Sequence, residues 1–186
     1  MAAIWIVYAA QAAFARGDLT AARRLADDAV AATSGFHLSL ALTTCAGVAI
    51  VQGEPEQADR DAHYALATAT SCGALAAVPD ALDCLAALAV GAGSHREAAR
   101  LFGAADAIRQ RGGLVRFKIF DAFFEFPVAA LRDAMGDKDF ESAWAEGVRC
   151  PGTKRSPTHS AVTANASAQQ AAGPHSPPPS ATSSDW

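Results

Sequence analysis

The sequence predicts an all-α protein of antiparallel helical hairpins, stacked as a short solenoid and followed by a disordered C-terminal tail. Three observations predict this fold class. The composition is 51% hydrophobic but only 8% aromatic, which suits helices that pack closely through alanine, the best helix former. A glycine followed by a polar residue recurs along the chain at similar intervals. Apolar periodicity ends near residue 149.

The glycines mark an internal repeat. Gly17, Gly53, Gly93 and Gly136 are separated by 36, 40 and 43 residues. A glycine suits the left-handed cap that ends one helix, and the polar residue after it suits the start of the next. In the first three copies, the fifth and twelfth positions after the glycine are alanines, which would let paired helices approach closely: Ala22, Ala58, Ala98, Ala29, Ala65 and Ala105. Each hairpin would leave an apolar face that a neighbouring hairpin covers.

Four helices are predicted in the first half, at 2–15, 18–33, 36–52 and 55–71. Helix 2–15 is uncharged and has no basic residues before it, so we do not expect a signal peptide. Helix 18–33 is amphipathic, with one face of Leu, Ala and Val. Helix 36–52 is marginal as a bilayer span and is expected to be a buried helix. Pro55 falls in the first turn of its helix, where proline is tolerated.

Four more helices are predicted at 75–91, 94–111, 117–134 and 137–147. Because Pro79 lies inside the first of them, that helix should start late or bend. Gly112 and Gly113 should end the second, whose apolar stripe resembles that of helix 18–33. Pro127 should kink or split the third, so that 128–134 forms a separate helix.

Composition changes sharply at residue 149. Residues 1–148 carry a net charge of −6, whereas residues 149–186 carry +2 and are rich in Pro, Ser, Thr and Ala. Such a segment buries too little apolar surface to offset the entropy of ordering. We therefore predict a helical repeat domain over 1–148 and a disordered tail over 149–186.

The sequence identifies no catalytic, cofactor-binding or metal-binding residue, so we expect no enzyme and no cofactor. His37, His63 and His95 lie in different repeats without metal-ligand spacing. Asp80 and Asp83 lie one helical turn apart, and capping at the Pro79 break is favoured over acid–base chemistry.

The four cysteines, Cys45, Cys72, Cys84 and Cys150, lack the spacing of zinc or redox sites. They are expected to be free thiols in a reducing compartment, the first three of them buried. A cytoplasmic location follows from this expectation.

Two side-chain clusters could form surfaces. A basic run suits cations at a helix C-terminus, although a partner or nucleic acid is an alternative: Arg109, Arg111, Arg116 and Lys118. Five phenylalanines within ten residues exceed what one helix face can bury, so some are core and others could dock a neighbouring domain: Phe117, Phe120, Phe123, Phe124 and Phe126.

Three segments resemble one protein family. They are EAARLFGAADAIR at 97–109, ALRDAMG at 130–136 and FESAWAEG at 140–147. They are similar to the helical-repeat, TPR-like region of large LuxR-type ATP-dependent transcriptional regulators, some of which contain a nucleotide cyclase domain. In that family the repeat lies between an NTPase or cyclase module and a C-terminal helix-turn-helix domain. This chain has no Walker motif, cyclase carboxylates or helix-turn-helix, so no functional residue carries over.

The resemblance implies a non-catalytic segment that senses a small inducer, a peptide or a protein in its groove. We expect no membrane association and no direct nucleic-acid binding by this chain, although the parent family binds DNA. Back-translation of the tail in a shifted frame permits a helix and basic linker like those of the family, which suggests a frameshifted or truncated fragment. The alternatives are a free-standing interaction adaptor and a small helical enzyme.

Overall fold

The computed structural model describes residues 2–116 and 121–149, and every regular element within them is helical. The predicted all-α class is therefore confirmed. The helices are α1 (Ala2–Ala15), α2 (Leu19–Ala32), α3 (Gly35–Gln52), α4 (Pro55–Ser71), α5 (Val78–Gly91), α6 (His95–Gly112), α7 (Asp121–Met135) and α8 (Asp137–Arg149). The predicted tail, 149–186, lies outside the described residues except for Arg149, which is the last residue of α8 and not part of a tail. Phe117, Lys118 and Phe120 also lie outside them, together with the side chains of Phe123, Phe124 and Phe126.

Short glycine turns join the helices of each pair. Gly17 has a φ of 75°, in the left-handed region that glycine adopts without strain. The Asp18 N–H donates back to the Ala13 carbonyl at 3.0 Å, which satisfies a carbonyl at the end of α1. The Asp18 carboxylate then accepts a hydrogen bond from the Ala21 N–H at 3.0 Å and caps α2. The same two residues therefore end one helix and begin the next.

The alanine register is buried in the helix contacts. All six alanines at the fifth and twelfth positions of the first three copies have no exposed surface. Ala10, Ala26 and Cys45 pack together where α1, α2 and α3 meet, and Ala46, Ala62 and Cys84 do the same for α3, α4 and α5. This repetition is compatible with stacked hairpins.

The last pair departs from the pattern. Consecutive helices contact each other, and α1, α3, α5 and α7 also touch in series, but α8 packs mainly across α6. Phe102, Leu131 and Phe140 form the buried centre of this end of the protein. The fourth repeat, whose sequence register breaks down, thus joins the domain through a different helix contact.

The two internal prolines behave differently. Leu75–Ala77 forms a single 3-10 turn and α5 begins at Val78, so Pro79 occupies the first turn and the predicted late start is confirmed. Pro127 lies inside an uninterrupted α7, so the predicted split at this residue is wrong. Proline removes one backbone hydrogen bond from the helix, and the packing of Val128 and Leu131 in the core retains the helix on the far side.

Helix α3 is the centre of the first three pairs. Among the described residues it alone is long and apolar enough to cross a bilayer. Ten of its residues are buried, and it contacts α1, α2, α4 and α5. Its apolar composition therefore matches its position inside the helical unit, as predicted.

Candidate functional site

A buried carboxylate lies at the contact between α5 and α6. Asp83 is 0% exposed, although it sits in the first half of an otherwise apolar helix. The side chain faces α6, because Arg109 of that helix donates a hydrogen bond to its carboxylate. No side-chain hydrogen bond caps α5, so the predicted capping role of Asp80 and Asp83 is wrong.

Two arginines bind this carboxylate. Arg109 Nη2 and Arg116 Nη2 both donate to Asp83 Oδ2, at 2.5 and 2.7 Å. Arg109 also donates to Asp80 Oδ1 at 2.9 Å. The second oxygen, Asp83 Oδ1, accepts no hydrogen bond from any residue that the structure describes. We call Asp80, Asp83, Arg109 and Arg116 the buried ion-pair network.

Burial and ion pairing act in opposite directions on the groups of this network. Removal from water raises the pKa of Asp83, and the guanidinium groups of Arg109 and Arg116 act in the opposite direction. Burial lowers the pKa of Arg109, but the carboxylates of Asp83 and Asp80 together outweigh this effect, and the net change is an increase. Arg109 therefore stays charged although it is 8% exposed. The guanidinium geometry suits such a site because its donors reach two carboxylates at once.

The network joins two features that are separate in the sequence. Local sequence patterns predict that Asp80 and Asp83 cap the start of a helix. They predict that Arg109 and Arg116 are cations at the end of another helix. Arg109 and Arg111 do lie in the last turn of α6, yet Arg109 points inward. Asp83 of α5 binds both Arg109 of α6 and Arg116 of the segment after α6, so it connects these three parts of the chain. The sequence did contain a signal for this buried site, because Asp80 and Asp83 interrupt an otherwise apolar helix one turn apart.

A second polar cluster lies where α2, α3 and α4 meet. Arg23 Nε binds Asp27 at 3.1 Å, and the Cys45 thiol lies 3.7 Å from the same carboxylate. Burial raises the pKa of Asp61, which accepts a hydrogen bond from Gln57. Burial likewise raises the pKa of the Cys45 thiol to about 12, with Asp61 and Asp27 adding to the effect.

A cleft of about 400 Å³ opens between α6, α7 and α8, within the size range of ligand pockets. Its walls are mostly apolar, with two arginines and an aspartate: Phe102, Val128, Ala129, Trp144, Arg116, Arg132 and Asp106. Arg132 is bound by Asp137 and Glu141 and lies 4.3 Å above the centre of the Phe140 ring. Arg116 links this cleft to the buried ion-pair network.

The three histidines of the repeats, His37, His63 and His95, lie on different helices, α3, α4 and α6. The His37 ring lies edge-on to the rings of Phe36 and Tyr8. The His63 Nδ1 atom lies 3.3 Å from Asp59 Oδ1. Among the side chains that the structure describes, no three of His, Cys, Asp or Glu come together as a metal site would require. The cysteines that the structure describes are free thiols. Cys72 is exposed, which corrects the expectation that it is buried.

The chain is similar to proteins of two mycobacteria. Relatives in Mycobacterium tuberculosis, strains H37Rv and CDC 1551, and in Mycobacterium bovis are each 54% identical over 141 residues. Their names designate them, provisionally, as HTH-type transcriptional regulators. The match covers 76% of this chain but 16% of the length of each relative. No protein-family model and no solved structure matches the chain. The similarity links this helical unit to transcriptional regulators.

Proposed function

We propose that this helical unit is a non-catalytic, TPR-like interaction and sensing segment of a LuxR-type transcriptional regulator. One observation carries the proposal, namely 54% identity over 141 residues to HTH-type regulators of which the chain spans only 16%. The segment would bind a small inducer, a peptide or a protein and restrain a DNA-binding domain elsewhere in the intact regulator. It would act in the cytoplasm without a cofactor.

The cleft between α6, α7 and α8 offers a place for such a ligand. Its apolar walls would exclude water from the ligand, and Arg116 would couple ligand contact to Asp83, because the same guanidinium lines the cleft and binds that carboxylate. A ligand that shifts Arg116 would thus alter how the segment after α6 is held against α5. This geometry supports sensing because a local contact reaches two helices.

We further propose that the chain is a truncated or frameshifted fragment, without its own DNA-binding or ATPase domain. The compositional change at residue 149 supports this. Sequencing the gene and its downstream region tests it directly. A helix-turn-helix encoded in another frame would support the fragment hypothesis, and the lack of one in every frame would refute it.

A chimera tests the segment's role. The 141 matched residues of the H37Rv relative are replaced by those of this chain, and binding to genomic DNA fragments selected with the unmodified relative is measured. The chimera should bind the same fragments, while this chain alone should bind none of them and should hydrolyse no ATP. A folded chimera that loses these fragments, or a chain that binds them alone, would contradict the proposal.

The second candidate is a free-standing adaptor that binds a protein or peptide. The exposed aromatic side chains Trp5, Tyr8 and Tyr64 favour it, because tyrosine and tryptophan are enriched in protein interfaces. The two candidates differ in the chimera experiment. An adaptor would bind a purified partner saturably as the isolated chain and would fail to replace the segment of the regulator.

A further inference from the structure

The cleft between α6, α7 and α8 has a size that suits a small molecule. Its volume of about 400 Å³ lies near the lower end of the range of ligand pockets. A protein partner would need roughly 800 Å² of surface on this chain, and peptides bind along a sheet edge or a long groove. Of the three kinds of ligand named in the proposed function, the small inducer therefore fits this cleft best.

The walls of the cleft favour a ligand with an aromatic ring. Phe102 of α6 and Trp144 of α8 both line it. The Trp144 ring packs against the ring of the buried Phe140 with centres 5.3 Å apart, so the core holds its position. Contacts between aromatic rings contribute more than the burial of their area alone. A ligand ring would therefore gain more in this cleft than an aliphatic chain of similar size.

One cation on the cleft wall is held in place and still has donors to offer. The guanidinium of Arg132 lies over the Phe140 ring, and its Nη1 atom donates to both Asp137 and Glu141, at 3.3 and 2.8 Å. Its Nε and Nη2 atoms donate to no residue that the structure describes. A guanidinium binds a carboxylate best through two parallel N–H groups. The Nε and Nη2 side of Arg132 therefore suits the carboxylate of a ligand.

The charges on the cleft wall also favour an acid. Two cations and one anion line the cleft among the described residues: Arg116, Arg132 and Asp106. The Asp106 carboxylate accepts a hydrogen bond from Gln110 at 2.7 Å. The carboxylates of Asp137 and Glu141 do not line the cleft, and their pairs with Arg132 are exposed to solvent. Because exposed ion pairs contribute little, a ligand carboxylate can compete with them for this guanidinium.

On the premise of the proposed sensing function, we propose that this cleft binds a small aromatic carboxylic acid. The carboxylate accepts hydrogen bonds from Nε and Nη2 of Arg132, and the ring lies against Phe102 and Trp144. Ala129, an exposed residue of α7 on the same wall, lies beside the ligand. The acid group gives the ligand its orientation, and the aromatic walls exclude water from its ring.

NMR titration of the isotope-labelled full chain tests the class of ligand. The probes are benzoate, 3-phenylpropionate and indole-3-acetate, and their amides are neutral controls of the same shape. At least one acid should shift the Trp144 indole N–H signal, identified by its absence in Trp144→Phe, with a dissociation constant of about 0.1 to 1 mM. Its amide should bind at least about tenfold more weakly. Octanoate, an aliphatic acid of similar size, should bind at least about threefold more weakly.

Two pairs of variants locate the site. Arg132→Gln should weaken binding at least about tenfold, because hydrogen bonds to charged groups are lost. Arg24→Gln changes an exposed, ion-paired arginine on α2 and should leave binding unchanged. Ala129→Phe should block the cleft, whereas Ala130→Phe should not, because Ala130 is exposed on the same helix but does not line the cleft. Circular dichroism checks that all four variants remain helical.

Several results would overturn this proposal without touching the proposed function. They are the absence of saturable binding by all three acids, equal binding of acid and amide, and octanoate binding as tight as that of the aromatic acids. Binding that survives Arg132→Gln or Ala129→Phe overturns it as well. The chimera experiment remains separate, because a chimera that binds the selected DNA fragments supports the regulatory role even if no aromatic acid binds. Conversely, a chimera that fails leaves the binding result intact.

Discussion

Gly147 of α8 lies directly against the backbone of Arg100 of α6. A Cβ atom at position 147 would overlap the Arg100 carbonyl oxygen and lie 2.8 Å from its carbonyl carbon. Gly103 of α6 meets the Trp144 backbone in the same way. The two helices therefore touch through their main chains, and this contact holds α8 in the protein.

Gly147→Ala should destabilise the protein by about 1 to 3 kcal/mol, because the methyl group meets backbone atoms that cannot move aside independently. Gly91→Ala is the control, since Gly91 also lies in a helix but has no heavy atom within 4 Å of the place that a methyl group would occupy. It should leave the free energy of unfolding unchanged or raise it by up to about 1 kcal/mol. Urea denaturation measures both, and equal effects of the two variants would contradict the close contact.

Asp83→Ala should lower the free energy of unfolding by about 3 to 5 kcal/mol, because it leaves Arg109 buried without its main partner. Asp28→Ala removes an exposed partner of Arg24 and should cost less than about 1 kcal/mol. Guanidinium denaturation compares the two. The double variant Asp83→Leu, Arg109→Met should lose less than the sum of its single changes, and strict additivity would argue against a coupled network.

Asp61→Asn should stabilise the protein near neutral pH but have little effect in acid. Burial raises the pKa of Asp61 above its ordinary value of 3.8, so the folded state binds this proton more tightly than the unfolded state. The stabilisation that comes from this tighter proton binding is fully present below the ordinary pKa of 3.8. It is lost as pH rises through the folded-state pKa. Denaturation at a series of pH values measures the difference between variant and wild type. A difference that does not grow with pH would refute this.

Alkylation should distinguish the thiols. Burial raises the pKa of Cys45 to about 12 and that of Cys84 further in the same direction, so both stay protonated and unreactive at mildly alkaline pH. Cys72 is exposed and should react with iodoacetamide before Cys45 and Cys84. Peptide mass spectrometry follows each site with time, and denaturant should bring Cys45 and Cys84 to the rate of Cys72. Rapid labelling of Cys84 in the folded chain would contradict its burial.

The sequence by itself determined the helices and their connections. Gly17, Gly53, Gly93 and Gly136 each stand at a turn, because a left-handed cap is a local requirement that glycine meets best. The buried alanines were also predictable, since a fixed count from each glycine places them on one helix face. The rule that proline is excluded from helix interiors also predicted that the helix would start late or bend at Pro79, and α5 starts late, at Val78.

Only the tertiary structure decided which side chains meet across helices. Asp83 and Arg109 are 26 residues apart, and nothing in either local pattern specifies that the contact of α5 with α6 brings them together. The same applies to Gly103 and Gly147, whose lack of side chains matters only once α8 crosses α6. Pro127 also escaped local reasoning, because the packing of Val128 and Leu131 beyond it outweighs the lost hydrogen bond. Capping and periodicity act over one or two turns, whereas burial and ion pairing depend on contacts that the fold creates.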